Sequence, residues 1–212
     1  MGFKGAIFDM DGTLIDSMPI WKTICADYLK SIGYIPEDNL YKQLISMDLL
    51  EAGEYFRERY GVKQSVDEIC RGINSMLMDF YSNRVKTKPG LHRYLEKLRQ
   101  GGVKLCVATA TDRVLAEAAF KNNGILEYFE GIITCGEAGA GKSSPDIYIK
   151  ALDIIGTEKA DTMIFEDALH AAWTAKKAGF RVTGIYDAAA EGQHEQIKML
   201  CDRYVSSWED LL

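Results

Sequence analysis

The chain has 212 residues, 47% of them apolar and 26% charged, with a net charge of −6. That length suffices for one buried core, or for a core with a small accessory domain. The acidic balance argues against a nucleic-acid partner, which requires a basic patch, and no apolar run is long enough to span a bilayer.

The first expected strand is Ala6–Phe8 within FKGAIF, which reads as a strand entered directly and not as a secretory leader. From about Ser17 to Lys86 no strand is expected. Apolar residues at Val66, Ile69, Ile73, Met76, Leu77 and Phe80 fit one face of a helix, and Ser65 with Glu68 forms an S-x-x-E capping box at its start. Beyond the turn KTKPG (86–90), four further strands are expected at Val103–Ala108, Gly131–Cys135, Thr162–Phe165 and Arg181–Ile185. They alternate with helices at Leu91–Gln100, Val114–Asn122, Ile147–Ile154 and Ala168–Ala178. Near-continuous apolar strands alternating with helices imply a parallel sheet covered on both faces. The expected class is α/β: a doubly wound, Rossmann-like core of residues 1–16 and 87–212, interrupted by an α-helical cap domain at 17–86. Five cysteines (Cys25, Cys70, Cys106, Cys135 and Cys201) form no C-x-x-C pair, and read as reduced thiols of a cytoplasmic protein.

The chemistry gathers at strand ends. FDMDGTLIDS (8–17) places Asp9 and Asp11 just after the first strand, where ligands of parallel sheets collect. Two carboxylates so close repel each other unless a cation or a shared proton intervenes, and Gly12 permits a sharp turn there. Thr109 ends the second expected strand, ahead of Thr111 and Asp112, which both offer helix caps. Lys142 lies in GKSSPD, and Glu166–Asp167 follow the strand 162–165 as hard oxygen donors suited to Mg²⁺.

These four motifs, in this order, resemble the haloacid dehalogenase superfamily, whose signature is D-x-D-G-T. The position of the insert is similar to that of the subfamily with a small α-helical cap, which includes β-phosphoglucomutases and many small-molecule phosphatases. The resemblance implies that Asp9 is the nucleophile that forms an aspartyl-phosphate, and that Asp11 protonates the leaving oxygen and then deprotonates water. It implies that Thr109 and the Ala110 amide donate to phosphoryl oxygens, and that Lys142 holds Asp9 and the phosphate together. Mg²⁺ is then expected on the Asp9 carboxylate, the Asp11 backbone carbonyl and Asp167, with Glu166 either a ligand or an anchor behind them.

A competing pattern exists. GEAGAGKS (136–143) satisfies the P-loop string G-x-x-x-x-G-K-[ST]. A P-loop begins its helix at the Gly-Lys pair, but Ser144 precedes Pro145 and is pushed out of the helical region; Ser144 is expected as N-cap and Pro145 as first helical residue. His92, His170 and His194 show no nucleophile–base arrangement, and Trp21, Trp173 and Trp208 read as packing residues, with a place facing the site from the cap as the alternative for Trp21. The mutase pattern of the subfamily carries a cap His near Trp21 and an Arg near Met47, and this chain has neither. Asp11, which phosphonate hydrolases replace, is retained. The expected activity is therefore a Mg²⁺-dependent phosphatase acting on a small phosphorylated metabolite, as a monomer or small homo-oligomer. A sugar-phosphate mutase, a P-loop nucleotide binder and a non-catalytic regulatory protein stand as alternatives.

Overall fold

The computed structural model describes residues 2–44, 47 and 49–212. Chain contacts divide it into two compact units, residues 1–17 with 85–212, and residues 18–84.

The first unit is built on six strands: β1 (Gly5–Phe8), β2 (Lys104–Thr109), β3 (Gly131–Thr134), β4 (Thr162–Glu166), β5 (Arg181–Ile185) and β6 (Arg203–Val205). They form one sheet in the order β3-β2-β1-β4-β5-β6, with every pairing parallel. Alternate residues serve opposite faces. Ile7, Cys106, Ile164 and Val182 pack into one cluster with Ile147, Tyr148, Ala172 and Phe180. Phe8 and Phe165 stack at 4.7 Å on the other face, where Trp208 and Tyr94 close over Phe165. Burial on both faces is why the strands read as unbroken apolar runs. The sixth strand, RYV, was not expected: three residues on a sheet edge, one of them exposed, carry no readable period.

The second unit is helical: α1 (Met18–Ser31), α2 (Leu40–Leu44), α3 (Leu49–Tyr60) and α4 (Val66–Asn83). The Ser65–Glu68 capping box starts α4, and Ile69, Ile73, Leu77 and Tyr81 form its buried stripe. Gly72 sits mid-helix where a Cβ would overlap the Tyr28 ring of α1. A glycine there costs about 1 kcal/mol of helix propensity, which the close approach of the two helices offsets. Within this unit lies a cavity of about 250 Å³ lined mainly by apolar side chains, among them Trp21, Leu44 and Ile73.

The first unit's remaining helices are α5 (Leu91–Gln100), α6 (Arg113–Asn122), α7 (Cys135–Ala138), α8 (Asp146–Ile155), α9 (Leu169–Lys177) and α10 (His194–Leu200). Cys135, expected as the end of a strand, opens α7, because Thr134 and Glu137 form a capping box there. The helix after Lys142 begins one residue later than expected, at Asp146 with Pro145 as N-cap, while the Ser144 hydroxyl donates to Asp146 at 2.8 Å. Trp173 is about half exposed (49%) and is no core residue; the Lys177 ammonium lies 3.8 Å from its ring centre. Trp208 is fully buried. No helix among the described residues is long and apolar enough to cross a membrane.

The segments joining the two units are zipped together inside the first. Ile15 bridges Thr87 in antiparallel fashion, Asp16 N–H donates to Lys86 O at 2.9 Å, and Lys88 N–H donates to Leu14 O at 2.9 Å. The Asn123 side chain clamps the return, donating to Val85 O at 3.0 Å and accepting from Thr87 N–H at 3.2 Å.

Candidate active site

The strand order reverses direction about β1 and β4, which is where ligands bind in open parallel sheets, beyond the carboxyl ends. The register pairs Phe8 with Phe165, so Asp9 and Glu166 emerge side by side, and Asp9 N–H donates to Phe165 O at 2.9 Å. Thr109 closes β2 on the other flank of β1 and is fully buried.

Lys142 reaches this point from the loop between α7 and α8. Its ammonium is buried, bonded to Asp9 Oδ1, and donates to Glu166 Oε1 at 2.6 Å. Glu166 Oε2 accepts the backbone N–H groups of Asp167 and Ala168 at 3.0 and 3.1 Å, so both its oxygens are engaged within the chain. The Thr13 hydroxyl donates to Asp167 Oδ1 at 3.0 Å, and the Thr13 carbonyl accepts from the indole N–H of Trp208 at 3.1 Å. Gly12, at φ 83°, makes the turn that Asp11 and Thr13 flank.

Burial pushes the Asp9 carboxyl up; Lys142 pulls it back and Glu166 pushes it up again, leaving it at about 6. Burial, then the charges of Asp9 and Glu166, hold Asp167 well above the ordinary aspartate value. For Lys142 burial opposes the charge, but Asp9 and Glu166 outweigh it and keep the ammonium firmly protonated. One carboxylate oxygen each from Asp9, Glu166 and Asp167 lies within 4.8 Å of the others. With all three ionised, three carboxylates face one ammonium and two negative charges stay uncompensated. Asp9 Oδ2 is buried without a hydrogen-bond partner. An orphaned anionic oxygen among hard oxygen donors fits a divalent cation such as Mg²⁺.

Asp11 is held from two sides. Ser17 Oγ donates to its Oδ1 and Thr111 Oγ1 to its Oδ2, both at 2.6 Å. This corrects the reading of Thr111 as a helix cap: Asp112 occupies the N-cap of α6, though without a side-chain bond, and the Thr111 hydroxyl is spent on Asp11. Thr111 N–H in turn donates to Thr109 Oγ1 at 3.0 Å, which leaves the Thr109 hydroxyl its own proton to donate. Ala110, between them, is exposed. Asp9, Lys142, Glu166 and Asp167 thus form one buried cluster, while Thr109, Thr111 and Asp11 form a hydroxyl–carboxylate chain. The sequence marks neither Thr13 nor Ser17, and marks Thr111 only as a helix cap. Short hydroxylated residues in acidic loops are commonplace, and only the fold aims them at carboxylates.

The P-loop string takes a different shape. Gly136, Glu137 and Ala138 lie in α7, Gly139 ends that helix in the left-handed region, and Lys142 lies in the loop ahead of α8, not in a helical turn. Its ammonium is spent on two buried carboxylates. His170 lies in α9, where burial, then Lys142, lowers its proton affinity.

A sequence model of haloacid dehalogenase-like hydrolases matches residues 6–185. One relative is the phosphorylated carbohydrates phosphatase of Thermotoga maritima, 24% identical over 191 residues that cover 90% of this chain and 88% of that protein. Another is the validoxylamine A 7′-phosphate phosphatase of Streptomyces hygroscopicus subsp. limoneus, 29% identical over 192 residues, 89% of each chain. The crystal structure of CbbY from Rhodobacter sphaeroides in complex with phosphate superposes with a TM-score of 0.82 at 22% identity, covering 99% of this chain and 96% of that one. That last likeness is one of fold.

Proposed function

The chain belongs to the haloacid dehalogenase-like hydrolase family, and from that premise we propose that it is a Mg²⁺-dependent phosphatase of small organic phosphomonoesters working through Asp9. The observation that carries the reading is the buried Asp9 carboxylate, pinned by Lys142 through one oxygen and unpartnered on the other.

The fixed oxygen orients the carboxylate, and the other is placed for attack or for metal ligation. In the first half-reaction an Asp9 oxygen bonds to phosphorus as the P–O bond to the leaving group breaks. The leaving oxygen takes the proton of Asp11 and departs as an alcohol. In the second, water attacks the same phosphorus, gives a proton to Asp11, and displaces the Asp9 carboxylate. Thr109 and the Ala110 amide donate to the equatorial phosphoryl oxygens, and Lys142 offsets their charge. Asp9, the Asp11 carbonyl and Asp167 would hold the cation, which supplies charge neutralisation on the transferred group. We assign Glu166 as an anchor and not a ligand, since both its oxygens are already engaged.

Residues 18–84 serve in this reading as the cap that selects the substrate. Relatives named for phosphorylated carbohydrates point to a sugar or polyol phosphate as the substrate class. Transfer to water is favoured over return to a sugar, because this chain has neither the mutase His near Trp21 nor the mutase Arg near Met47, and the Trp21 indole N–H is spent on Tyr81 Oη at 3.1 Å. Five free thiols suit the reducing cytoplasm.

The test is Asp9→Asn with p-nitrophenyl phosphate and Mg²⁺. Loss of at least about a thousandfold in kcat is expected for removal of a nucleophile, and wild-type turnover by the folded variant would sink the assignment.

A further inference from the structure

Resting on the reading of Asp11 as proton donor, we infer that Thr111 is a positioning residue for that proton transfer, tying the acid to the phosphoryl-binding hydroxyl of Thr109. Three contacts carry this. Thr111 Oγ1–H donates to Asp11 Oδ2 at 2.6 Å across 100 positions of sequence, within the range for a charge-assisted bond from a hydroxyl to a carboxylate. Thr111 N–H donates to Thr109 Oγ1 at 3.0 Å, so its backbone is fixed by the residue that meets the phosphate. Thr111 is itself 6% exposed, so water does not compete freely for either bond.

Ser17 engages the other oxygen of Asp11 at 2.6 Å. One hydroxyl on each oxygen sets the plane of the carboxyl group as well as its position, whereas a single donor would leave the plane free to turn. A hydroxyl suits an acid that cycles: it donates when Asp11 is a carboxylate and turns to accept when the oxygen facing it carries a proton. A methyl group of the same shape does neither. The two donors are not equivalent in the chain. Ser17 is the last residue before the helical unit, whereas Thr111 belongs to the loop after β2 that also presents Thr109 and Ala110. Through Thr111, the group that binds the phosphoryl oxygens and the group that protonates the leaving oxygen share one short piece of backbone. Misplacing an acid by about 1 Å costs on the order of a hundredfold in rate, so a residue that only steadies Asp11 has measurable weight.

The experiment is the leaving-group dependence of kcat/KM, which reports the step in which the ester bond breaks and not the later attack of water. Wild type, Thr111→Val, Thr111→Ser and Asp11→Asn are each assayed with Mg²⁺ on p-nitrophenyl, p-chlorophenyl and phenyl phosphate. The nitrophenolate leaves without help, and phenolate needs the proton. Asp11→Asn should fall ever more steeply along the series. Thr111→Val should do the same in weaker form, losing at least tenfold more on phenyl than on p-nitrophenyl phosphate (an order-of-magnitude expectation for a loosened acid). Thr111→Ser, which keeps the hydroxyl, should run parallel to wild type. Equal loss by Thr111→Val on all three esters, or none on any, overturns the role of Thr111. If Asp11→Asn itself shows no leaving-group dependence, the reading of Asp11 as the acid fails instead. Melting temperatures of the variants separate these outcomes from misfolding.

Discussion

The buried ammonium of Lys142 and the carboxylate of Asp9 form an ion pair that joins positions 133 apart in the sequence. Among the described residues, Lys142 is the one cation bonded within the cluster of Asp9, Glu166 and Asp167, and Glu166 shares it. Lys142→Met should therefore destabilise the fold by about 3 kcal/mol or more, the usual cost of stranding one half of a buried pair. Urea denaturation in EDTA measures it. Mg²⁺ should restore stability to this variant more than it adds to wild type, since the cation then meets three uncompensated carboxylates.

Mg²⁺ should raise the melting temperature of wild type and lower it again on chelation, with about 2.7 kcal/mol of stabilisation at a hundredfold excess over Kd. Asp167→Asn, which keeps the shape of the side chain and can still accept from Thr13, should abolish most of that shift. An equal Mg²⁺ response in variant and wild type would remove Asp167 from the metal site.

The same response should depend on pH in a set direction. Asp9 stands at about 6, raised first by burial, so the metal-free folded state holds its proton more tightly than the unfolded chain. The contribution of Asp9 to metal-free stability is therefore present below the ordinary aspartate value and lost as pH rises through about 6. The cation requires the carboxylate, so its apparent affinity should weaken as pH falls through that value, roughly tenfold for one unit. Thermal shifts titrated with Mg²⁺ at pH 5 and pH 7.5 measure this, and equal affinities at both would contradict it.

Glu137 gives the opposite sign. The Arg113 hydrogen bond, then bonds from the Thr134 cap against some burial, lowers its pKa. Its contribution is present above the ordinary glutamate value and lost as pH falls through the lower folded one. Glu137→Ala should cost about 1 kcal/mol at pH 7, the typical worth of a cap, and the gap to wild type should narrow in denaturation below pH 4.

Trp208 lies under the whole arrangement. Its indole N–H holds the Thr13 carbonyl, and the Thr13 hydroxyl holds Asp167. Trp208→Phe keeps the aromatic packing against Tyr94 and Phe165 but orphans a buried carbonyl, at a cost of about 1–3 kcal/mol. It should also weaken Mg²⁺ binding, which a thermal-shift titration reads separately from the loss of stability.

Where the sequence could be read, one kind of signal carried it. Strands buried on both faces, such as Ala6–Phe8 and Val103–Ala108, announce themselves as apolar runs, and charged groups at their ends stand out against them. Asp9, Glu166 and Asp167 stand out in that way, Lys142 stands out instead through its GKSSPD context, and the fold brings all four together. What escaped had no such contrast. Arg203–Val205 is too short for a pattern, and the hydroxyls of Thr13, Ser17 and Thr111 carry no mark of their partners. Thr111 and Asp112 both offer a cap by local rule; Asp112 takes that position, and a contact 100 residues distant takes the Thr111 hydroxyl. The first three helices of the insert carry a weaker mark than α4, which buries Ile69, Ile73, Leu77 and Tyr81 at four-residue steps: α2 is five residues long, and α1 and α3 each bury three residues.

The ladder at Ile15 and Thr87 has a consequence for how such a chain can change over generations. Both ends of the segment 18–84 leave the α/β unit at one bridged pair, backed by Asp16–Lys86 and the Asn123 clamp, all of which belong to the α/β unit itself. Bridged strands lie only about 5 Å apart, so a loop of a few residues could join them. The inserted helices are thus an exchangeable cassette. Their length and sequence can drift, or be replaced outright, without disturbing the register that sets Asp9 beside Glu166.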